Sequence, residues 1–137
     1  MEAFRGDYNI SKEHFGTTIK EINSNVNEIF EYRREKKDHW KKPMEMALDG
    51  YGDCEDFAIF KYHALKQLGH NVKVLVVHMY KKAEDHAVLL VDDKYVLDNM
   101  TDNILEYDTF MKDKKLWYVI NEYNVGVAPP DNLSKGA

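Results

Sequence analysis

A single cysteine, Cys54, closes the run Asp49-Gly50-Tyr51-Gly52-Asp53 and opens an apolar segment. A glycine-rich turn running into a helix sets the thiol at a helix N-terminus. There the positive end of the helix dipole and unpaired backbone amides favour thiolate over thiol, and the Cys54 N–H can help to stabilise a developing oxyanion. A lone cysteine is more often a small buried hydrophobe. Such a residue does not need a loop–helix junction between two acids, Asp53 and Glu55, so the position points to a nucleophile. Six histidines could activate it: His14, His39, His63, His70, His78 and His86. His86 stands apart because it begins the apolar strand His86–Val91, directly after the charged turn Lys81–Asp85. A base at the mouth of a strand is rigidly held and open to solvent on one side. Asp98 ends the next strand, Lys94–Asp98, and can orient the imidazole.

Counting tests that pairing. Paired residues in an antiparallel hairpin have numbers of constant sum. If Leu90 pairs with Lys94, His86 lies opposite Asp98; if Val91 pairs with Tyr95, the two are diagonal on one face. An odd sum separates them, because side chains alternate. Two plausible turns therefore bring imidazole and carboxylate together, and a cysteine facing such a pair is what nucleophilic thiol catalysis requires.

The elements that must hold these residues are legible in outline. From Ser11 to about Asp38, Phe15, Ile19, Ile22, Val26, Ile29 and Arg33 step by threes and fours, which predicts one helix with a solvated basic end at Arg33–Lys37. Pro43 favours an extended Lys42 with a short helix after it. Between Cys54 and Leu68 apolar residues fall on several sides, so that helix is central, and Gly69 is placed to cap it. The second half changes period. Val72–Tyr80, Ala87–Val91, Lys94–Leu97 and Trp117–Val127 read as strands, with Asp92-Asp93 as a turn. Helices first and strands after predict an α+β domain with an antiparallel sheet. The tail 128–137 reads as frayed or extended.

Composition bounds the rest. The chain has 137 residues, a net charge of −5 and one cysteine. It fits one domain, 1–137, and excludes an internal disulfide framework or a multi-cysteine metal site. The negative charge gives no attraction to nucleic acid or anionic lipid, and the Arg33–Lys42 cluster, interrupted by acids, reads as a solvated face. The longest uncharged apolar run, Val74–Tyr80, is far below the ~20 residues of a membrane span. Met1–Tyr8 has no apolar core and does not read as a secretory signal. Location is thus expected to be cytoplasmic, or that of a phage-encoded protein, for a native full-length chain, and periplasmic if a signal was removed. A monomer is expected.

Three blocks carry a resemblance: Trp40-Lys41-Lys42-Pro43-Met44-Glu45; Gly50-Tyr51-Gly52-Asp53-Cys54-Glu55-Asp56-Phe57-Ala58 with Lys61-Tyr62, Leu65 and Leu68-Gly69; and His86-Ala87-Val88-Leu89 followed by Val96-Leu97-Asp98-Asn99. In that order they resemble the bacterial transglutaminase-like cysteine proteinases, of the LapG-like periplasmic adhesin protease type. The resemblance implies a papain/transglutaminase-like fold, with Cys54 as nucleophile, His86 as base then acid, Asp98 as orienting residue, and a protein substrate such as a surface adhesin. It also implies calcium bound by Asp53 and Glu55. Hard carboxylates suit Ca²⁺, but that ion takes 6–8 oxygens, so Asp56 or backbone carbonyls would have to complete the site; Asp53 and Glu55 could instead cap the helix. Trp40 could donate its indole N–H to the oxyanion, although a Trp beside Pro is more often packing. Acyl transfer on the same triad and a silent binding module of the same fold are the other readings.

Overall fold

The computed structural model describes residues 2–4, 8–35 and 39–122. Its sheet has five antiparallel strands, β3 (Val72–Met79), β4 (Glu84–Val91), β5 (Tyr95–Asp98), β6 (Thr101–Glu106) and β7 (Lys114–Ile120), in the order β6-β5-β4-β3-β7. Ahead of it come α1 (Lys12–Phe15), α2 (Ile19–Ile29), β1 (Glu31–Tyr32), α3 (Pro43–Asp49), β2 (Tyr51–Gly52) and α4 (Cys54–Lys66), while α5 (Tyr107–Phe110) follows β6. No helix among the described residues is long and apolar enough to cross a membrane.

Helix α4 is the axis of the fold. Every residue from Asp56 to Leu65 is buried, because α2 and α3 pack on it from one side and the sheet from the other. Phe57, Phe60 and Leu65 join Ile22 and Val26 of α2 and Val74, Ala87 and Leu89 of the sheet in one apolar cluster. The rings of Phe15, Phe30 and Phe60 meet at 4.9–5.8 Å within it. Burying side chains of this size contributes roughly 1.5–3 kcal/mol each. A second cluster, Leu75, Val77, Val88, Leu90, Val96 and Phe110, holds α5 to the sheet.

Several expectations are corrected. The single helix over Ser11–Asp38 is two helices. Gly16 has φ +95°, which a residue with a Cβ rarely adopts; Ser11 caps α1 and Thr18 caps α2. These local capping signals override the continuous apolar period. Helix α2 stops at Ile29, which is 50% exposed, and Arg33 follows β1. Residues 36–38 lie outside the described residues, as do 123–127 of the expected last strand and the tail 128–137. Strand β4 starts at Glu84, so His86 is its third residue. The turn before it is shorter than Lys81–Asp85 because the ladder with β3 runs on to Met79↔Glu84. Strand β6 was not expected: Thr101–Glu106 is half exposed at the sheet edge and carries little apolar signal.

Candidate active site

The glycines of Gly50-Tyr51-Gly52 do different work. Gly50 ends α3 in the left-handed region at φ +76°. Gly52 is required by space: a Cβ there would lie 2.7 Å from Asp56 Cβ and 2.8 Å from Met46 Sδ. Between them Tyr51–Gly52 pairs in parallel with Glu31–Tyr32, which fixes the turn against the end of α2. Asp53 then caps α4 in a capping box with Asp56. Asp56 is buried, and its two oxygens accept the Lys41 N–H at 2.8 Å and the Asp53 N–H at 3.0 Å. It fixes the turn, with one hydrogen bond on each oxygen.

Lys41, expected in a solvated cluster, is only 5% exposed. Its ammonium donates to the Tyr51 carbonyl at 2.8 Å and pairs with Glu35 at 3.2 Å and Asp49 at 3.0 Å. Burial works against that charge, but the two carboxylates outweigh it and hold the Lys41 pKa above its ordinary value. Its partners come from the two stretches that flank it, Glu35 before and Asp49 with Tyr51 after, and they meet its ammonium only when the chain folds back there.

Cys54 follows, and its environment departs from expectation. Its N–H donates to Asp53 Oδ1 at 2.7 Å, so the amide assigned to the oxyanion is engaged in the cap. Its thiol donates to Glu55 Oε2 at 3.4 Å. Burial first, and then the Glu55 and Asp53 charges, push the thiol above its ordinary range, outweighing the Ala87 N–H, which acts the other way. The helix dipole does not overcome this. Burial and the two flanking carboxylates outweigh it.

The second half of the site comes from the sheet. Strands β4 and β5 pair as Val91↔Tyr95, Leu90↔Val96 and Leu89↔Leu97, through a turn in which Asp92 and Asp93 both take positive φ. This is the diagonal register of the two considered. His86 Nε2 bonds Asp98 Oδ1 at 2.7 Å, with both side chains under 10% exposed. Met100 N–H adds a second donor to the same oxygen at 3.1 Å. Burial pushes the Asp98 carboxyl up, but the His86 bond and charge, the Met100 amide and the Lys61 charge outweigh it and hold it below the usual carboxylate range. Since Nε2 is committed to Asp98, Nδ1 is the nitrogen left for proton transfer.

Cys54 and His86 line one cavity of about 820 Å³. Tyr32, Glu35, Asp85, Asn99 and Met100 also line it, with Arg34 paired to Glu84 at 3.4 Å, and Asp53 and Glu55 flank the cysteine. Trp40 is not among these residues. Its ring packs on the central core, 6.4 Å from Phe4.

Asp53, Cys54 and Glu55 each bring a ligand atom within 4.8 Å of the others. Asp53 accepts Tyr32 O–H and Cys54 N–H at Oδ1 and Glu35 N–H at Oδ2, so it caps the helix and keeps little spare capacity. Glu55 is less engaged: burial, then Asp53 and Asp56, push its carboxyl up to about 7. Crowded, partly buried carboxylates of this kind fit a hard cation, with most of its 6–8 oxygens coming from elsewhere.

The profile of the bacterial transglutaminase-like cysteine proteinases matches residues 4–122. The chain belongs to that family. Among curated proteins no sequence matches. Among solved structures, calcium-bound LapG of Legionella pneumophila is 27% identical with a TM-score of 0.70, over 85% of this chain and 77% of that one. EGTA-treated LapG from the same organism is 30% identical with a TM-score of 0.68, over 75% of this chain. The match spans 61% of that LapG chain's length. A Cytophaga hutchinsonii protein, 13% identical with a TM-score of 0.64 over 85% of this chain and 42% of that one, shares the fold. The mixed helix and antiparallel-sheet architecture is thus the papain/transglutaminase-like fold expected from the sequence.

Proposed function

We propose that this family member is a cysteine endopeptidase acting on a protein substrate through Cys54, His86 and Asp98. The observation that carries the reading is the 2.7 Å bond from Asp98 to His86, which lines the same cavity as Cys54. Cys54 Sγ adds to the substrate peptide carbonyl as its proton passes to His86 Nδ1. The imidazolium, held in orientation by Asp98, gives that proton to the departing amine, leaving a thioester. Water then adds to the thioester carbonyl and yields a proton to His86. Collapse releases the new carboxylic acid, and the proton returns to the cysteine sulfur.

Calcium fits this reading at Glu55 and Asp53, since one of the LapG structures is calcium-bound. When bound, the cation would offset the two carboxylate charges that hold the thiol protonated. Glu55 would be its principal side-chain ligand, because Asp53 remains committed to the helix cap. The lining carboxylates outnumber the one lining arginine, even with Glu35 paired to Lys41 and Glu84 to Arg34, which suits a substrate segment without a dense negative charge.

The test is cleavage of a mixed peptide library, read as newly formed termini, with calcium and with chelator. The wild type is expected to cut, and Cys54→Ser and His86→Ala to fail. Cleavage by His86→Ala at the wild-type rate would overturn the triad. Capture of an added primary amine in place of water would move the assignment to acyl transfer.

A further inference from the structure

Lys61 lies two turns along α4 from Cys54 and is fully buried. Burying an ammonium is costly unless it is well partnered, yet its hydrogen-bond acceptor is the neutral Asn23, whose Oδ1 accepts from Lys61 Nζ at 2.8 Å. The opposite charges acting on Lys61 are Asp98 of β5 and Asp102 of β6. A lysine packed only to fill space would be replaced by methionine at a gain in stability.

The neighbours of Asn23 show what the charge is for. A lysine ammonium can only donate, so Asn23 must turn Oδ1 toward it and Nδ2 away. Nδ2 then donates to the Thr101 carbonyl at 3.1 Å. One helical turn later Asn27 Nδ2 reaches the Asp98 carbonyl at 3.1 Å, the Thr101 carbonyl at 3.2 Å and Asp102 Oδ1 at 3.1 Å. Asp98 and Thr101 are the paired residues that close the β5–β6 turn, and Met100 within that turn donates to Asp98 Oδ1. Helix α2 thus grips both ends of the turn that carries Asp98, and Lys61 sets the sense of that grip.

Resting on the triad reading, we infer that Lys61 is a positioning residue for Asp98: by donating to the Asn23 amide oxygen it turns the Asn23 N–H to the Thr101 carbonyl and so fixes the β5–β6 turn that carries Asp98. Asn23 is the intermediate part of this device, and Asn27 holds the same turn beside it.

Lys61→Met removes charge and donor at nearly constant shape. The readouts are the thermal midpoint, the downfield proton resonance of the His86 N–H bonded to Asp98, and the rate of Cys54 alkylation, with His86→Ala as control. The expected result is a midpoint at or above wild type, a broadened or displaced resonance, and alkylation slowed roughly tenfold or more, the scale of a small misplacement of a reacting group. A wild-type resonance or a wild-type alkylation rate overturns the inference. A rate lost only in step with a fallen midpoint also overturns it, since that is a structural effect. Asn23→Asp covers a Lys61→Met chain that does not fold: it keeps an acceptor for Lys61 but loses the donor to Thr101. It must reproduce both changes, and their absence refutes the device. If His86→Ala alkylates like wild type, the triad reading fails and this inference falls with it. If His86→Ala slows and Lys61→Met does not, the inference alone fails.

Discussion

Glu55→Gln is expected to make Cys54 more reactive when no cation is present. Glu55 Oε2 lies 3.4 Å from the sulfur, and a full charge at that separation is worth about 5 kcal/mol in an effective dielectric of ~20. Both side chains are partly exposed, so solvent screening reduces this to about 2.5 kcal/mol, close to two pKa units at about 1.4 kcal/mol each. A thiol lowered by that amount has ~100-fold more thiolate at a fixed pH below its titration. The thiolate is also less nucleophilic, and a Brønsted coefficient of about 0.4–0.5 leaves a net gain of roughly tenfold. The assay is iodoacetamide labelling of Cys54 in chelator across pH. The carboxyl of Glu55 is held up to about 7, so the wild type carries the opposing charge above that pH and loses it below. The advantage of Glu55→Gln should therefore be full on the alkaline side and close as the pH falls through about 7. Calcium should accelerate the wild type and leave Glu55→Gln unmoved. Labelling of Glu55→Gln in chelator at or below the wild-type rate would refute the electrostatic account of this thiol.

Other consequences are equally direct. Asp98→Asn keeps the shape but removes the carboxylate that accepts from His86 Nε2 and Met100 N–H; peptide cleavage should fall at least ~100-fold, read as kcat/KM. Gly52→Ala forces a Cβ to within 2.7 Å of Asp56 Cβ and should cost about 2 kcal/mol in a urea unfolding curve, with Cys54 labelling altered as the turn shifts. Lys61 is pushed down to about 7 by burial, against ~10.4 in an unfolded chain. Between those values the unfolded state binds more protons, so this residue makes stability rise with pH from about 7 toward 10. Lys61→Met should lack that rise and be the more stable protein at neutral pH, as pH-dependent denaturation will show.

The local grammar of the chain is written in short-range patterns. Asp49–Asp53 turns the chain because Gly50 accepts positive φ and Gly52 accepts neighbours where a Cβ cannot go. The apolar circumference of Cys54–Leu68 requires a buried central helix, and the Asp92-Asp93 turn limits how His86 and Asp98 can meet. Spacing within about ten residues carries that information because sterics and alternation act over that range. The same range explains the errors. An unbroken apolar period concealed the Gly16–Thr18 break, and the edge strand Thr101–Glu106 has too little buried surface to announce itself. What the helix start does to Cys54 was beyond local reading: the dipole is a property of the segment, whereas burial and the placement of the Glu55 carboxylate arise only when the sheet covers that end of α4. Lys41 and Lys61 show the same division. Each is one more lysine in the sequence: Lys41 meets Glu35, Asp49 and the Tyr51 carbonyl only because the chain folds back around it, and Lys61 meets Asn23 only because α2 packs on α4. Sequence determined which residues could do thiol chemistry and on which elements they ride. Their electrostatic state was decided by the tertiary structure: covering by the sheet desolvates Cys54 and so lets the flanking Asp53 and Glu55 charges act on its sulfur, and packing brings His86 and Lys61 to Asp98, which no local pattern encodes.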